Sequence, residues 1–155
     1  MMGYELSFAK LIRYDTGKTG IELPIKLSLG QDEIKIIAKL DTGSTDCIFQ
    51  RYCGEELGLD IETGYRKDFS TATGTFTAYG HTITLTVFGV DLEAMVYFAK
   101  DHEFNRNVLG RNGFLNRVLI ALNDYAAIST SLKTSNKTLV IPTPNTVLIM
   151  KPARF

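Results

Sequence analysis

At 155 residues the chain is long enough for one domain with a full hydrophobic core. Lys plus Arg balances Asp plus Glu, 17 against 17, with no basic stripe or acidic tail, which argues against nucleic acid or an anionic membrane as partner. Residues 1–13 hold neither a long apolar run nor a cleavage-site pattern, and no stretch approaches transmembrane length, so a cytoplasmic protein without a signal peptide is expected.

Ile21, Leu23, Ile25, Leu27 and Leu29 alternate with mostly polar neighbours, the period of a half-buried strand. Gly30-Gln31-Asp32-Glu33 predicts a turn. Ile34, Ile36, Ala38 and Leu40 then form one face of a second strand that runs into Asp41. Cys47-Ile48-Phe49 predicts a short strand, and residues 51–59 predict one short helix with Gly58 as a left-handed cap. Cys47 and Cys53, in a chain with no secretion signal, are expected as reduced, buried structural thiols rather than a disulfide or a redox pair. Too few Cys and His residues stand nearby for zinc, so neither metal nor cofactor is expected.

Residues 66–88 predict a long hairpin: 69–72 as one arm, Thr73-Gly74-Thr75 as the tip, and 76–88 as the other arm. Its abundant Thr and the glycine at the bend suit an exposed, mobile ribbon. His81, on this hairpin, is expected to be exposed. Gly89-Val90-Asp91 predicts another turn and 92–99 a strand, with Met95 and Tyr97 as core residues. Asp101-His102-Glu103 is expected as a solvated loop, because adjacent side chains diverge and do not converge on a metal. The run Val108-Leu109-Gly110-Arg111-Asn112 leads through a glycine-rich turn to strands near 118–122 and 126–132. A polar loop over 131–137 and short strands over 138–141 and 146–150, separated by Pro142-Thr143-Pro144, complete the chain. Helix is scarce and the fold class is all-β.

The segment with most chemical content is Asp41-Thr42-Gly43-Ser44-Thr45, directly after a strand-like run. A strand fixes the carboxyl group, and the glycine permits a tight turn whose N–H faces it. Asp15-Thr16-Gly17 repeats the tripeptide in a polar, glycine-rich setting, where a surface turn is expected.

Leu40-Asp41-Thr42-Gly43-Ser44-Thr45-Asp46 resembles the active-site turn of pepsin-like and retroviral-type aspartic proteases. Ser70-Thr71-Ala72-Thr73-Gly74 resembles the flap of the single-domain bacterial retropepsin-like branch. Val108-Leu109-Gly110-Arg111-Asn112 is similar to the family's second signature. The order and spacing of the three also match, over roughly residues 20–132. The resemblance implies a closed, barrel-like acid-protease fold with one short helix and one lobe per chain. A retropepsin-like domain would span 1–132 and a β-prone C-terminal extension 133–155.

It further implies peptide-bond hydrolysis without metal or cofactor at a homodimer interface, because the chemistry uses two carboxylates sharing one proton and the chain supplies one. Asp41 would be the catalytic carboxylate. Thr42 would brace its twin across the dimer, and Gly43 would donate its N–H to the carboxylate. Ser44, Ala72, Thr73, Gly74 and Thr75 would contact peptide substrate. Gly110 would pack beneath the turn, with Asp46 and Asn112 in support, and Arg111 would anchor the turn through a carboxylate, Asp46 being the nearest acid. Specificity pockets are expected to be apolar, since barrel-facing positions are rich in Ile, Leu, Val and Phe. Two alternatives stand beside the protease: a non-catalytic dimerisation or peptide-binding module on the same fold, and a latent protease covered by its C-terminal segment, in which Thr146 to Met150 and Arg154-Phe155 are the candidates.

Overall fold

A computed structural model describes residues 10–123, 131–134, 137–140 and 146–150. In chain order the elements are β1 (Lys10–Arg13), β2 (Glu22–Leu29), β3 (Asp32–Leu40), β4 (Ile48–Phe49), α1 (Arg51–Glu56), β5 (Tyr65–Thr71), β6 (Gly74–Val87), β7 (Val90–Ala99), β8 (Val108–Leu109), β9 (Leu119–Asn123), β10 (Ser131–Thr134), β11 (Lys137–Val140) and β12 (Thr146–Met150). The chain divides into two compact units, Gly20–Arg117 and a second made of Met1–Thr19 with Val118–Phe155.

The first unit is a closed barrel. Its strands run in the order β2-β3-β8-β4-β7-β6-β5, and β6 also pairs with β2, which closes the ring and leaves β5 outside it on β6. Closure removes the unpaired edges that an open sheet of this size would expose. Two links are parallel, β3 with β8 and β4 with β7, and the rest are antiparallel. Strand alternation fills the interior. Leu23, Ile25 and Leu27 of β2 face in, as do Ile36 and Ala38 of β3, and Ile83, Leu85 and Val87 of β6 join them.

The helix begins where residue spacing predicts, at Arg51, and ends early, at Glu56. Gly58 has φ 72° and donates to Glu55 O at 2.9 Å, while Leu59 N donates to Gly54 O at 3.0 Å. This Schellman arrangement satisfies the last carbonyls and requires the left-handed residue that glycine supplies without strain.

Two turns are shorter than the sequence suggests. Pairing of Leu29 with Asp32 leaves Gly30-Gln31 as the bend. Pairing of Val87 with Val90 likewise leaves Phe88-Gly89, so Val90 and Asp91 already belong to β7. Antiparallel ladders favour two-residue connections whose twist matches the strands.

In the second unit β12 lies between β1 and β9, antiparallel to both. The strand over β1 has no counterpart in the sequence reading. The predicted polar loop over 131–137 is instead largely hairpin, since Ser131–Thr134 pairs with Lys137–Val140. Thr-rich polar segments pair as readily as apolar ones once a partner strand is in register. The predicted strand over residues 126–130, the Pro142-Thr143-Pro144 break and Arg154-Phe155 lie outside the described residues.

Candidate active site

Strand β3 delivers Asp41 to the end of the barrel, and a second loop fixes it there. Leu40 N donates to Ile21 O at 2.9 Å and Asp41 N to Leu109 O at 3.0 Å. The Asp41 carboxylate is exposed, and its Oδ1 accepts the Gly43 N–H at 2.9 Å. Ser44 N closes the turn on Asp41 O at 3.2 Å. Beyond it the loops run side by side: Arg111 N donates to Ser44 O at 2.9 Å and Asn112 N to Thr45 O at 2.8 Å, with a parallel bridge between Asp46 and Asn112. The Ser44 hydroxyl donates to Asp46 O at 2.8 Å, so it serves the loop rather than the open face. Thr42 is exposed.

Gly110 lies directly under this crossing. A Cβ built there would stand 2.2 Å from Asp46 O and 2.9 Å from Ser44 O, both backbone atoms that cannot turn aside. Only glycine permits so close an approach. Cys47 is buried beside it, its thiol donating to Gly110 O at 3.8 Å. Burial pushes the Cys47 thiol up to about 12 and that of Cys53 up to about 11. Both cysteines are free and buried, as expected of structural thiols.

Asp46 is the buried acid of the loop, 4% exposed, but its partner is not Arg111. Its Oδ2 accepts Lys67 Nζ at 2.7 Å and its Oδ1 accepts Asn112 Nδ2 at 3.1 Å. Arg111 contributes its backbone N–H, and the residue is exposed. The expected Arg111–Asp46 pair is therefore corrected to a Lys67–Asp46 pair. The reason is topological: β5 folds back over the loop, bringing a lysine within reach while the Arg111 side chain points to solvent. The Lys67 ammonium also lies 5.1 Å from the Phe69 ring centroid and 5.3 Å from that of Tyr97. Hydrogen bonding to Asp46, more than the opposing cost of burial, raises the Lys67 pKa.

β5 and β6 form the hairpin beside this loop. Thr71 pairs with Gly74, so the bend is Ala72-Thr73, and Gly74 and Thr75 begin the returning strand. All four residues are exposed. The Thr71 hydroxyl ties the tip by donating to Gly74 O at 2.9 Å. Lower down, Phe69 stacks on its cross-strand partner Phe76 at 5.2 Å and meets Tyr97 edge-on at 5.2 Å, while Phe76 packs on Phe104 at 4.8 Å. An aromatic base under a polar tip gives a hairpin anchored at one end.

Asp41 also borders a cleft of about 610 Å³ that takes in Lys39, Gln50, Arg106 and Asn107. This cleft is mixed rather than apolar, polar at Glu22, Lys39, Arg106 and Asn107 and apolar at Ile37 and Val108. Asn107, which no local signal singles out, ties three segments together. Its Nδ2 donates to Ile37 O at 3.2 Å, its Oδ1 accepts Gln50 N–H at 3.0 Å, and its carbonyl accepts Lys39 N–H at 2.8 Å. A polar residue directly before an apolar-apolar-Gly run carries no periodic signal that would have marked it.

Asp15 is exposed and its Oδ1 accepts Gly17 N–H at 2.8 Å, the surface turn predicted for it. Tyr97 is buried, but Met95 is 47% exposed, since it occupies the opposite face of the same strand from Ala94 and Val96. His81 is half-buried rather than exposed, with Nε2 2.9 Å from Ile61 O and its ring against Phe98. Asp101, His102 and Glu103 are all exposed, and no group of potential metal ligands converges among the described residues. No helix among them is long and apolar enough to cross a membrane.

No protein-family model matches the sequence, and no curated protein matches it. Among solved structures the fold is similar to the EIAV protease complexed with the inhibitor HBY-793, at 14% sequence identity and a TM-score of 0.50, over 64% of this chain and 88% of that one. At that identity the likeness is one of fold. With the closed barrel, a single short α-helix among the described residues and one lobe per chain, it gives this protein the retropepsin-like acid-protease fold.

Proposed function

We propose that the protein is an aspartic endopeptidase whose active site forms between two copies of the chain, each contributing one Asp41. The observation that carries this reading is an exposed carboxylate held on a backbone that cannot shift: Asp41 N on Leu109 O, Gly43 N–H on Asp41 Oδ1, and a crossing loop that only Gly110 allows. A group that must stand within hydrogen-bond reach of an attacking water needs that rigidity. The exposure of Thr42 leaves it available to brace the equivalent loop of a second copy.

In the dimer the two Asp41 carboxylates share a proton, because two like charges in contact cannot both ionise. The ionised one takes a proton from a bound water, which attacks the scissile carbonyl. The protonated one donates to the carbonyl oxygen, and a tetrahedral diol forms and collapses. Substrate lies extended under the Ala72-Thr73 hairpin tip, paired by main-chain hydrogen bonds. The protease domain is taken as residues 1–132, the flap sequence alone supports the bacterial branch, and a cytoplasmic location is part of the same proposal.

The test is cleavage of a diverse peptide library between acid and neutral pH, read by mass spectrometry, with wild type and Asp41→Asn in parallel. Cleavage by wild type alone supports the proposal. Equal cleavage by both, or none by either with both folded, overturns it and favours a non-catalytic peptide-binding module.

A further inference from the structure

On the protease reading, the cleft beside Asp41 selects among substrate side chains. Of its eight other lining residues only Ile37 and Val108 are apolar. A cleft of about 610 Å³ is large enough for a side chain, and its mixed lining of polar and apolar surface can hold a long polar side chain as well as an aliphatic one. The polar groups are not equivalent. Both polar ends of the Asn107 amide are engaged, with Ile37 O and Gln50 N–H, so that residue holds the wall rather than a ligand. Glu22 and Lys39 are direct cross-strand partners on β2 and β3, so their opposite charges offset each other at the rim. That leaves Arg106. It is exposed and makes no ion pair among the described residues. Its position is nonetheless fixed, because the next residue's carbonyl accepts Lys39 N–H and the strand after it receives Asp41 N–H on Leu109 O. A guanidinium on a braced backbone, at the wall of the cleft that Asp41 borders, suits a carboxylate, which it can bind through two parallel N–H donors.

We propose that this cleft receives an acidic side chain of the substrate adjacent to the scissile bond, with Arg106 as the residue that recognises it. Arg106 then sets specificity and takes no part in proton transfer. A glutamate ionises near pH 4.3, so its advantage over the isosteric glutamine must grow as pH rises through about that value.

The experiment uses the full-length chain and peptides identical except for Glu, Gln, Leu or Lys at the two positions flanking the scissile bond. Wild type should cleave the Glu peptide about tenfold faster than the Gln peptide in kcat/KM above pH 5, and the ratio should fall towards one below pH 4. Arg106→Glu should invert the preference in favour of Lys, and Arg106→Leu should bring the Glu-to-Gln ratio to about one. A wild-type preference for Leu, or a Glu-to-Gln ratio that Arg106→Glu leaves unchanged, overturns the proposal. The same peptides are titrated by fluorescence anisotropy into Asp41→Asn. If nothing is cleaved the protease reading fails, but tighter binding of Glu than Gln, abolished by Arg106→Glu, still upholds the cleft assignment. Equal binding of all four peptides overturns it.

Discussion

Lys67→Met removes one charge from a pair whose other member stays under cover. Asp46 accepts Lys67 at 2.7 Å and Asn112 at 3.1 Å, and after the substitution only the neutral amide donor remains. Breaking a fully buried pair from one side costs about 3–5 kcal/mol, whereas an exposed pair contributes about 0.2–1 kcal/mol. Here the side chains are 36% exposed for Lys67 and 6% for Asp46. Water thus reaches the ammonium and, once it is gone, part of the carboxylate, which places the loss near 2 kcal/mol. Methionine keeps the apolar stem against Phe69 and Tyr97 but forfeits the attraction of the cation to the two rings, a further loss of about 0.5–1 kcal/mol. The expected destabilisation is therefore about 2.5–3 kcal/mol, or roughly 5–12 °C in Tm for a chain of this size.

Urea unfolding of wild type, Lys67→Met, Asp46→Asn and the double variant closes a thermodynamic cycle. The double variant should be more stable than the sum of the single losses by at least about 1 kcal/mol, because removing both charges leaves no orphan. A Lys67→Met protein within about 0.5 kcal/mol of wild type, or strict additivity, would show that the lysine is merely a solvated hairpin residue and refute the argument.

Gly110→Ala should cost about 3 kcal/mol or more, since its Cβ would meet the Asp46 carbonyl at 2.2 Å; a wild-type urea midpoint would contradict the close crossing. Asn107→Ala leaves Gln50 N–H and Ile37 O without their side-chain partner and should cost about 2 kcal/mol, read in the same way. Both cysteines should react slowly with iodoacetamide at pH 8 in the native protein and completely in urea, because burial holds them as thiols; fast native labelling of either would refute that. Their raised values also set an alkaline limit. Above the ordinary thiol value of 9.0 the unfolded chain releases protons that the folded chain keeps, so stability falls as pH rises towards about 11 for Cys53 and 12 for Cys47. The raised Lys67 pKa adds loss of the same sign above 10.5. Thermal unfolding that stays flat from pH 8 to 11 would show the reasoning to be wrong.

Most strands of the barrel were legible because they carry a local signature, whereas the two-residue β8 carries none and closure was implied only by the family resemblance. Alternation at Leu23, Ile25 and Leu27 faces one side inward, and Gly30 and Gly89 mark where the chain reverses. Glycine position misled at the hairpin tip, where Gly74 opens a strand and Ala72-Thr73 makes the bend. Met95 and His81 failed for a similar reason. Polarity and residue type give an average burial, whereas the facing of one strand residue is set by register, and a one-residue step changes the face. The strand Lys10–Arg13 had no signal because it gains its definition from β12, more than 130 residues later in the chain.

The two Asp-Thr-Gly tripeptides isolate what the site requires beyond sequence. Gly17 donates to Asp15 Oδ1 at 2.8 Å, and Gly43 donates to Asp41 Oδ1 at 2.9 Å. Locally the turns are the same, so the tripeptide by itself encodes an Asx-type bend and nothing more. What separates them comes from elsewhere in the chain. Leu109 supplies the acceptor for Asp41 N, the 110–112 loop runs along Ser44 and Thr45, and Lys67 neutralises the acid that the crossing buries. Of these, the apolar-apolar-Gly run is visible as a motif. Lys67 is not, since a lysine on a polar hairpin arm is indistinguishable from a solvated one until the hairpin folds onto the loop. The asymmetry yields a discriminating expectation. Asp15→Asn should leave peptide cleavage and stability within about 0.5 kcal/mol of wild type, as for surface changes generally. Asp41→Asn should abolish cleavage while leaving stability similarly unmoved. If instead the two variants behave alike in cleavage, the clamp from the second loop confers nothing on Asp41, and the case for it as the catalytic carboxylate falls.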